Sequence, residues 1–463
     1  MSANRGIVTV IGGDTFAQRS VSVPVRSAGV NVQFIYHHRT AGRGGEGVHI
    51  TSVVRALRVA GHDVDLVSPP GVDPMRGHST APLDKGARDT FGIVQLWKWI
   101  SCSCPQLVFE MLELLYNVYA LVRLFPEFWR KKDAAYYERH AFFLFAGVWL
   151  AKCFGRRVIL EVNEVAGIKR ARGQRWVGLA RWISQRTFRQ ADHILTVSPL
   201  LQRVVLGRGG RPGHVHVVPN AIDPARFRRT RGHTVRARLG LNDARVIGFV
   251  GWFDRWDHLD RLIDLVLHLR LADPTVRLLL VGDGADIGEL SARIVREGLE
   301  RCVIFSGPVA AAEVPDYIDA MDICVIPDAT EFCSPLVLFE FMAVGKPIVA
   351  PDTEPIRAVL THRTTGWIFN HSDPAAFREG VERLLGDFRL ARRIGDAARR
   401  EVFAYHTWDA IAALVEVLAR NEIQHEAADA LPLALAKIDP LLLSRNDPVS
   451  AHDLRSRPAI RIA

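Results

Sequence analysis

The stretch Glu331–Pro351, EFCSPLVLFEFMAVGKPIVAP, decides how the rest of the chain is read. Ser334-Pro335 suits a helix start, with serine as cap and proline in the first turn, where its missing N–H costs nothing. Leu336, Phe339 and Ala343 then recur at helical spacing, Gly345 suits the left-handed C-terminal position, and Lys346-Pro347 ends the helix before Ile348-Val349-Ala350, a short buried strand. Two carboxylates bracket the helix start: Glu331 in the loop before it and Glu340 within the helix. The unpaired amides and positive dipole end of such a helix favour a phosphate, and Glu340 can accept hydrogen bonds from a diol such as a ribose. That combination outlines a nucleotide-sugar site. An ordinary α/β unit with one loop glutamate and one surface-helix glutamate fits the same spacing, so the flanking sequence has to separate the two readings.

Upstream, RVIGFVGWFDRWDHLDRLIDLVLHLR predicts a strand over Val246–Val250, a glycine-containing loop with Arg255, and a helix from Leu259. VRLLLVGDG, CVIFSGPV, DICVIPD and PIVAPD read as further strands, alternating with helices at Asp286–Glu297 and Val314–Ala320. Strands that alternate with helices and are apolar along their whole length predict a parallel sheet covered on both faces. Beyond Asp373 the pattern is helical to about Asn421, and the tail from His425 carries few order signals.

The first half repeats the theme. After a short strand at Ile7–Ile11, VQFIYHH (Val32–His38) is a buried strand, RTAGRGGEG (Arg39–Gly47) a glycine-rich loop, Val48 to Ala60 an amphipathic helix and HDVDLV a second strand, the opening of a Rossmann-like lobe. The loop is either a backbone cradle for a ligand or a tight strand-to-helix turn. Asp63 and Asp65 resemble a metal-binding pair in letters only; strand alternation puts both on one face. AAYYERH ends a strand in Glu138-Arg139-His140, and polar residues at strand C-termini meet ligands in open α/β sheets, so His140 and Glu138 are pocket candidates, with helix capping as the other reading. HILTVSP and HVHVVPNAID complete the lobe, and the basic, turn-rich Arg228–Gly240 reads as an interdomain linker.

The architecture expected is α/β, two Rossmann-like lobes whose parallel sheets face each other across a cleft. The expected boundaries are 1–228 for the first lobe and 229–405 for the second. Residues 406–463 supply a helix packing back on the first lobe, and a tail.

Composition bounds the partners. Basic residues exceed acidic by 59 to 50, a net +9, which suits anionic partners. Nucleic acid is not expected, because the arginines are dispersed and no nucleic-acid motif is present. Six cysteines without paired zinc spacing fit a reducing compartment, Cys102-x-Cys104 being too little for a metal site, and MSANRGIVTVIGGDTF does not read as a secretory leader; a cytoplasmic protein follows. Gly92–Lys132 is rich in Trp, Leu, Phe and Tyr, yet Lys98, Pro105, Glu110 and Glu113 break any membrane-spanning run. It is either a set of core helices or an amphipathic surface with Trp97, Trp99, Phe128 and Trp129 at a bilayer and Arg130–Lys132 facing anionic lipid.

FVGWF, LLLVGDG, FSGPV with EVPDYIDAMDICVIPD, SPLVLFEFMAVGKPIVAPD and TTGWIF, in this order over Val246–Phe369, resemble the nucleotide-sugar lobe of family-4 retaining glycosyltransferases of the two-lobe GT-B fold. HHRTAGRGGEGVHI, YYERHAFF, ILEVNE and ILTVSP with VVPNAID resemble that family's acceptor lobe. Glu331 and Glu340 are one residue further apart than the family's paired-glutamate motif, which would place Phe332 at the first position. The resemblance implies that Glu340 holds the nucleotide ribose, that amides near Ser334, Leu336 and Val337 face the diphosphate, and that Gly44 and Gly45 let the acceptor loop close over it. It places Glu331 near the donor sugar. Arg255 fills one cationic role at the first donor-lobe loop, where the family's lysine is replaced by Asp257 and His258.

The activity implied is transfer of a hexose from a nucleotide-diphosphate sugar to a glycan or lipid-linked acceptor, with retention, without a metal or other cofactor, in polysaccharide or glycolipid assembly. Contact with a membrane surface fits such an acceptor. Glu331, His140 and, as second choice, Glu138 are the candidates for positioning sugar or acceptor hydroxyl. A sugar-nucleotide epimerase on the same fold and a non-catalytic scaffold subunit are the competing readings.

Overall fold

A computed structural model describes residues 31–40, 44–75, 105–168, 174–253 and 255–420. The expected strand at Ile7–Ile11, Trp97, Trp99, Cys102, Cys104 and the tail from His425 lie outside the described residues. The first lobe carries β1 (Gln33–His37), β2 (Asp63–Val67), β3 (Ala135–Arg139), β4 (Val158–Val162), β5 (His193–Thr196) and β6 (Val215–Val217). Its helices are α1 (Gly44–Val59), α2 (Gln106–Arg130), α3 (Ala146–Cys153), α4 (Val177–Gln190) and α5 (Pro199–Gly207). All strand pairs are parallel, in the order β2-β1-β3-β4-β5-β6.

The second lobe holds β7 (Arg245–Trp252), β8 (Val276–Asp283), β9 (Val303–Gly307), β10 (Ile323–Val325), β11 (Ile348–Pro351) and β12 (Trp367–Phe369). They pair in parallel in the order β12-β11-β10-β7-β8-β9. Around them lie α6 (Gly232–Leu239), α7 (Asp260–Ala272), α8 (Ile287–Arg296), α9 (Val314–Asp319), α10 (Leu336–Val344), α11 (Glu354–Arg357), α12 (Pro374–Gly386) and α13 (Phe388–Tyr405). The chain closes with α14 (Trp408–Arg420).

In both sheets the order reverses beside the first strand, between β1 and β3 and between β7 and β10. Ligands of open α/β sheets bind at the strand C-termini beside such a reversal, because the connections there diverge and leave a crevice. The run Glu138–His140 lies at one reversal, and the loop from β10 into Glu331 leaves the other.

Helix α14 is built into the first lobe. Trp408, Ile411, Val415 and Leu418 share one apolar cluster with Ile50, Val53 and Leu57 of α1. Burial of such side chains contributes about 1.5–3 kcal/mol each. Strand-like backbone bonds from Ile222 N to His406 O and from Trp408 N to Ile222 O, 3.0 Å each, guide the return.

Three sequence expectations change. Residues 44–47 are the first turn of α1 and not a loop, with Gly44 at φ +58°. Arg228–Gly240 is no free linker: α6 occupies it, Val235 is buried in the second lobe's core, and Gly232 N donates to Asp319 Oδ2 at 3.0 Å. In the stretch before Lys132, α2 is amphipathic: it buries Tyr116, Leu124 and Phe128 in the core and exposes its opposite stripe. Phe128 is therefore unavailable to a bilayer, and Lys131 bonds Asp63 and Asp65, at 2.6 and 2.9 Å. Those two aspartates do share a face, and an ammonium sits between them.

Candidate active site

A cleft of about 2120 Å³ opens between the two sheets' C-terminal ends. Helix α10 begins on it. Pro335, with extended φ and ψ, is the residue before the helix, Leu338 is the first residue whose N–H reaches a backbone acceptor behind it, Pro335 O at 3.2 Å, and Leu336 and Val337 line the cleft. Gly345 ends the helix at φ +82°, as the spacing predicts. Ser334 does not cap α10: its hydroxyl oxygen accepts from Asn220 N at 3.1 Å, and its carbonyl accepts from Asn220 Nδ2 at 2.6 Å.

That contact belongs to a longer chain. Asn220 Oδ1 lies 2.8 Å from His49 Nδ1, and His49 Nε2 lies 3.0 Å from Glu161 Oε2. Glu161 also accepts from Tyr137 OH at 2.7 Å, from Arg139 and from Asn163. Burial pushes its carboxyl up, but His49, Arg139 and Tyr137 outweigh burial and hold it below the usual carboxylate range. The carboxylate is thus a buried anionic hub whose hydrogen bonds orient Arg139 and His49 at the cleft wall. The loop before α10 is held at a second point by Ser198 Oγ, which donates to Phe332 O at 2.9 Å.

Gly45 faces α10 across the cleft, so closely that a Cβ added there would lie 3.4 Å from Leu336 Cδ1. Glu340 lines the cleft with Arg226 Nη2 3.5 Å from its carboxylate, and burial raises its pKa against the pull of that guanidinium. Glu331 is exposed at the cleft and accepts from Glu354 N at 3.3 Å. Arg255 is also on the cleft, but it is exposed and faces Asp286 and Glu289 at 3.9 and 3.7 Å. Its charge is shared with α8.

His140 lines the first-lobe wall of the cleft and is buried. Its Nε2 lies 3.3 Å from Ser184 Oγ, its Nδ1 has no hydrogen-bond partner, and burial followed by the charge of Arg39 lowers its pKa to about 3. It is a neutral imidazole, able to give or take one hydrogen bond. Glu138 sits off the cleft, under α3, where Gly147 lacks the Cβ that would collide with Tyr136 OH and Glu138 Oε2. Its Oε2 accepts from Tyr136 OH at 2.5 Å and lies 3.1 Å from His37 Nδ1, and His37 Nε2 lies 3.2 Å from Tyr116 OH, which does line the cleft. Glu138 therefore reaches the cleft only through His37 and Tyr116. No cluster of His, Cys, Asp and Glu that would hold a metal occurs among the described residues.

Residues 244–387 match the family model described as glycosyl transferases group 1, and residues 44–221 match that of a glycosyl transferase 4-like domain, one on each lobe. The chain belongs to the group 1 glycosyltransferases. A GDP-mannose-dependent alpha-mannosyltransferase of Mycobacterium tuberculosis is 25% identical over 371 residues, 78% of this chain and 89% of the relative. A D-inositol 3-phosphate glycosyltransferase of Salinispora arenicola is 28% identical over 295 residues, covering 58% of this chain and 65% of the relative, so the chain spans about two thirds of that protein. The Anabaena protein HepE, solved in complex with UDP, superposes with a TM-score of 0.62 at 15% identity over 84% of this chain and 100% of its own, a likeness of fold.

In this glycosyltransferase the sequence pointed to α10, Glu331, Glu340, Gly45 and His140, and all of them line the cleft. Sequence reasoning missed Arg39, Arg139, Arg226, His49 and Asn220. Arg139 stood between two singled-out residues, and strand alternation marks it as facing away from Glu138. Nothing in spacing marks Arg226 or Asn220, whose partners Glu340 and Ser334 lie more than a hundred residues away.

Proposed function

We propose that this glycosyltransferase moves a hexose from a nucleotide-diphosphate sugar to a glycan or lipid-linked acceptor, with retention of anomeric configuration. The observation that carries the reading is the start of α10 set opposite Gly45 in the interlobe cleft, with Glu340 on the same helix. The positive end of the helix and its first amides suit a diphosphate, and they are fixed before reaction, so they stabilise the leaving group without reorganising. Glu340, oriented by Arg226, accepts from the ribose hydroxyls. The names of the mannosyltransferase relative and of the UDP complex of HepE support a nucleotide-linked donor.

Charge develops at the anomeric carbon as the diphosphate departs. Glu331, at the loop entering α10, faces the donor sugar, and neutral His140 on the opposite wall orients the incoming hydroxyl. Neither is assigned a covalent bond to the sugar, and no step is assigned to a metal. The test is a panel of nucleotide sugars scored by thermal stabilisation and by donor hydrolysis. A donor should raise Tm in the wild type and not in Glu340→Ala; a panel in which no nucleotide or nucleotide sugar shifts Tm would reject the reading.

A further inference from the structure

We propose that α2, α3 and α4 form a docking surface for an anionic lipid bilayer, which delivers a lipid-carried acceptor to the cleft. The purpose of the surface rests on the transferase reading, whereas its existence does not. Helix α2 has two apolar faces. One packs in the core, and along the other Met111, Leu115, Val118, Val122, Phe125 and Trp129 recur at steps of three or four, with Val122 69% and Trp129 70% exposed. Phe145, just before α3, and Trp149 of α3 are exposed, the latter 50%, as are Trp176, just before α4, and Leu179 and Trp182 of α4, the last 55%.

Buried polar groups lock these three helices together. Asn117 Nδ2 donates to Phe143 O at 2.8 Å, and Asn117 Oδ1 accepts from the amides of Phe145 and Ala146 at 3.0 Å, at the start of α3. Glu110, itself buried, accepts from the amides of Arg175 and Trp176 at 2.7 and 2.8 Å, at the start of α4. The exposed tryptophans are therefore presented on helices held to one another by buried hydrogen bonds.

Arginine predominates among the exposed charges of these helices. Arg123 of α2 and Arg181, Arg186 and Arg189 of α4 are exposed, and Arg186 lies over the Trp182 ring at 5.3 Å. Helices α3 and α4 contain no Asp or Glu. On α2, Glu110 is buried, Glu113 pairs with Arg39, and Glu127 pairs with Arg130. Exposed aromatic side chains flanked by arginines, on helices whose carboxylates are buried or ion-paired, match the headgroup region of an anionic membrane. A second copy docked on the same face by two-fold symmetry would set one arginine row against the other. The cleft lies next door: Glu113 and Tyr116 of α2 and Arg181 of α4, adjacent to Trp182, all line it.

Flotation of the full chain with phosphatidylcholine vesicles, with and without phosphatidylglycerol, tests the proposal. The wild type should float with the anionic vesicles, less so in high salt, and with a blue shift of tryptophan emission. Val118→Glu/Val122→Glu and Trp149→Glu should bind about tenfold or more weakly, and Arg186→Glu more weakly on anionic vesicles, with Tm and donor hydrolysis unchanged. Three results would overturn it: no flotation of the wild type in low salt, equal flotation of the glutamate variants, or a wild-type dimer that ignores vesicles and becomes monomeric in those variants. Failure of the transferase reading shows instead in the nucleotide-sugar panel, which none of these substitutions touches.

Discussion

Asn220 Nδ2 donates to the Ser334 carbonyl oxygen at 2.6 Å, joining the last loop of the first lobe to the approach to α10 in the second. The same side chain meets His49 at 2.8 Å, so one asparagine couples the first-lobe hub at Glu161 to the start of α10. Asn220→Ala leaves a buried carbonyl and a buried imidazole without that partner, at a cost of about 1–3 kcal/mol. Thermal unfolding should show the loss, and donor affinity should fall with it. An unchanged Tm would mean that the contact contributes nothing.

Glu340→Ala removes the acceptor assigned to the ribose and leaves Arg226 without its carboxylate partner. Donor binding should weaken by about 1.5–3 kcal/mol, the range for hydrogen bonds to a charged group, and Glu340→Gln should recover part of it. Calorimetry with the active nucleotide sugar measures both, and equal affinity in all three proteins would remove Glu340 from the site.

Glu331 is exposed and accepts a 3.3 Å bond from the Glu354 amide, so Glu331→Ala should leave Tm nearly unchanged. If it positions the donor sugar, kcat should fall on the order of a hundredfold with little change in donor affinity, as expected for lost orientation at the reacting carbon. A variant with wild-type kcat would free Glu331 of any role in turnover.

Burial holds the folded pKa of His140 at about 3 against an ordinary 6.5, and His38 and His193 are lowered in the same direction. Between those two values the unfolded chain binds protons that the folded chain does not, so stability falls as pH drops from 6.5 toward 3. His140→Gln, which removes one such group, should flatten the slope of Tm against pH over that window. A slope unchanged by the substitution would show that His140 titrates normally.

Chelation tests the leaving-group account. If the start of α10 and its first amides stabilise the departing diphosphate, as proposed, EDTA should leave turnover unchanged. Activity that collapses on chelation and returns with magnesium would show that those groups are insufficient.

The sequence by itself determined the two parallel sheets and α10. Apolar runs such as Phe34–Tyr36 and Leu278–Val281 leave no polar face, which only a sheet covered on both sides tolerates. Leu336 to Gly345 carries its own start and stop, so its helix needed no distant partner to be read. Local rules also brought Glu340 and His140 to the cleft, because helix starts and strand C-termini face it in this kind of sheet.

Only the tertiary structure decided what each side chain meets there. Ser334 read as a cap and instead takes Asn220 from the other lobe; Arg255 read as one cation of the first donor-lobe loop and faces Asp286 and Glu289; Glu138 read as a pocket candidate and lies beneath α3. The stripe on α2 read as either core or membrane and is apolar on both sides. Periodicity states which residues share a face. What lies opposite that face is settled by packing between segments far apart in the chain, and it leaves no mark on local spacing.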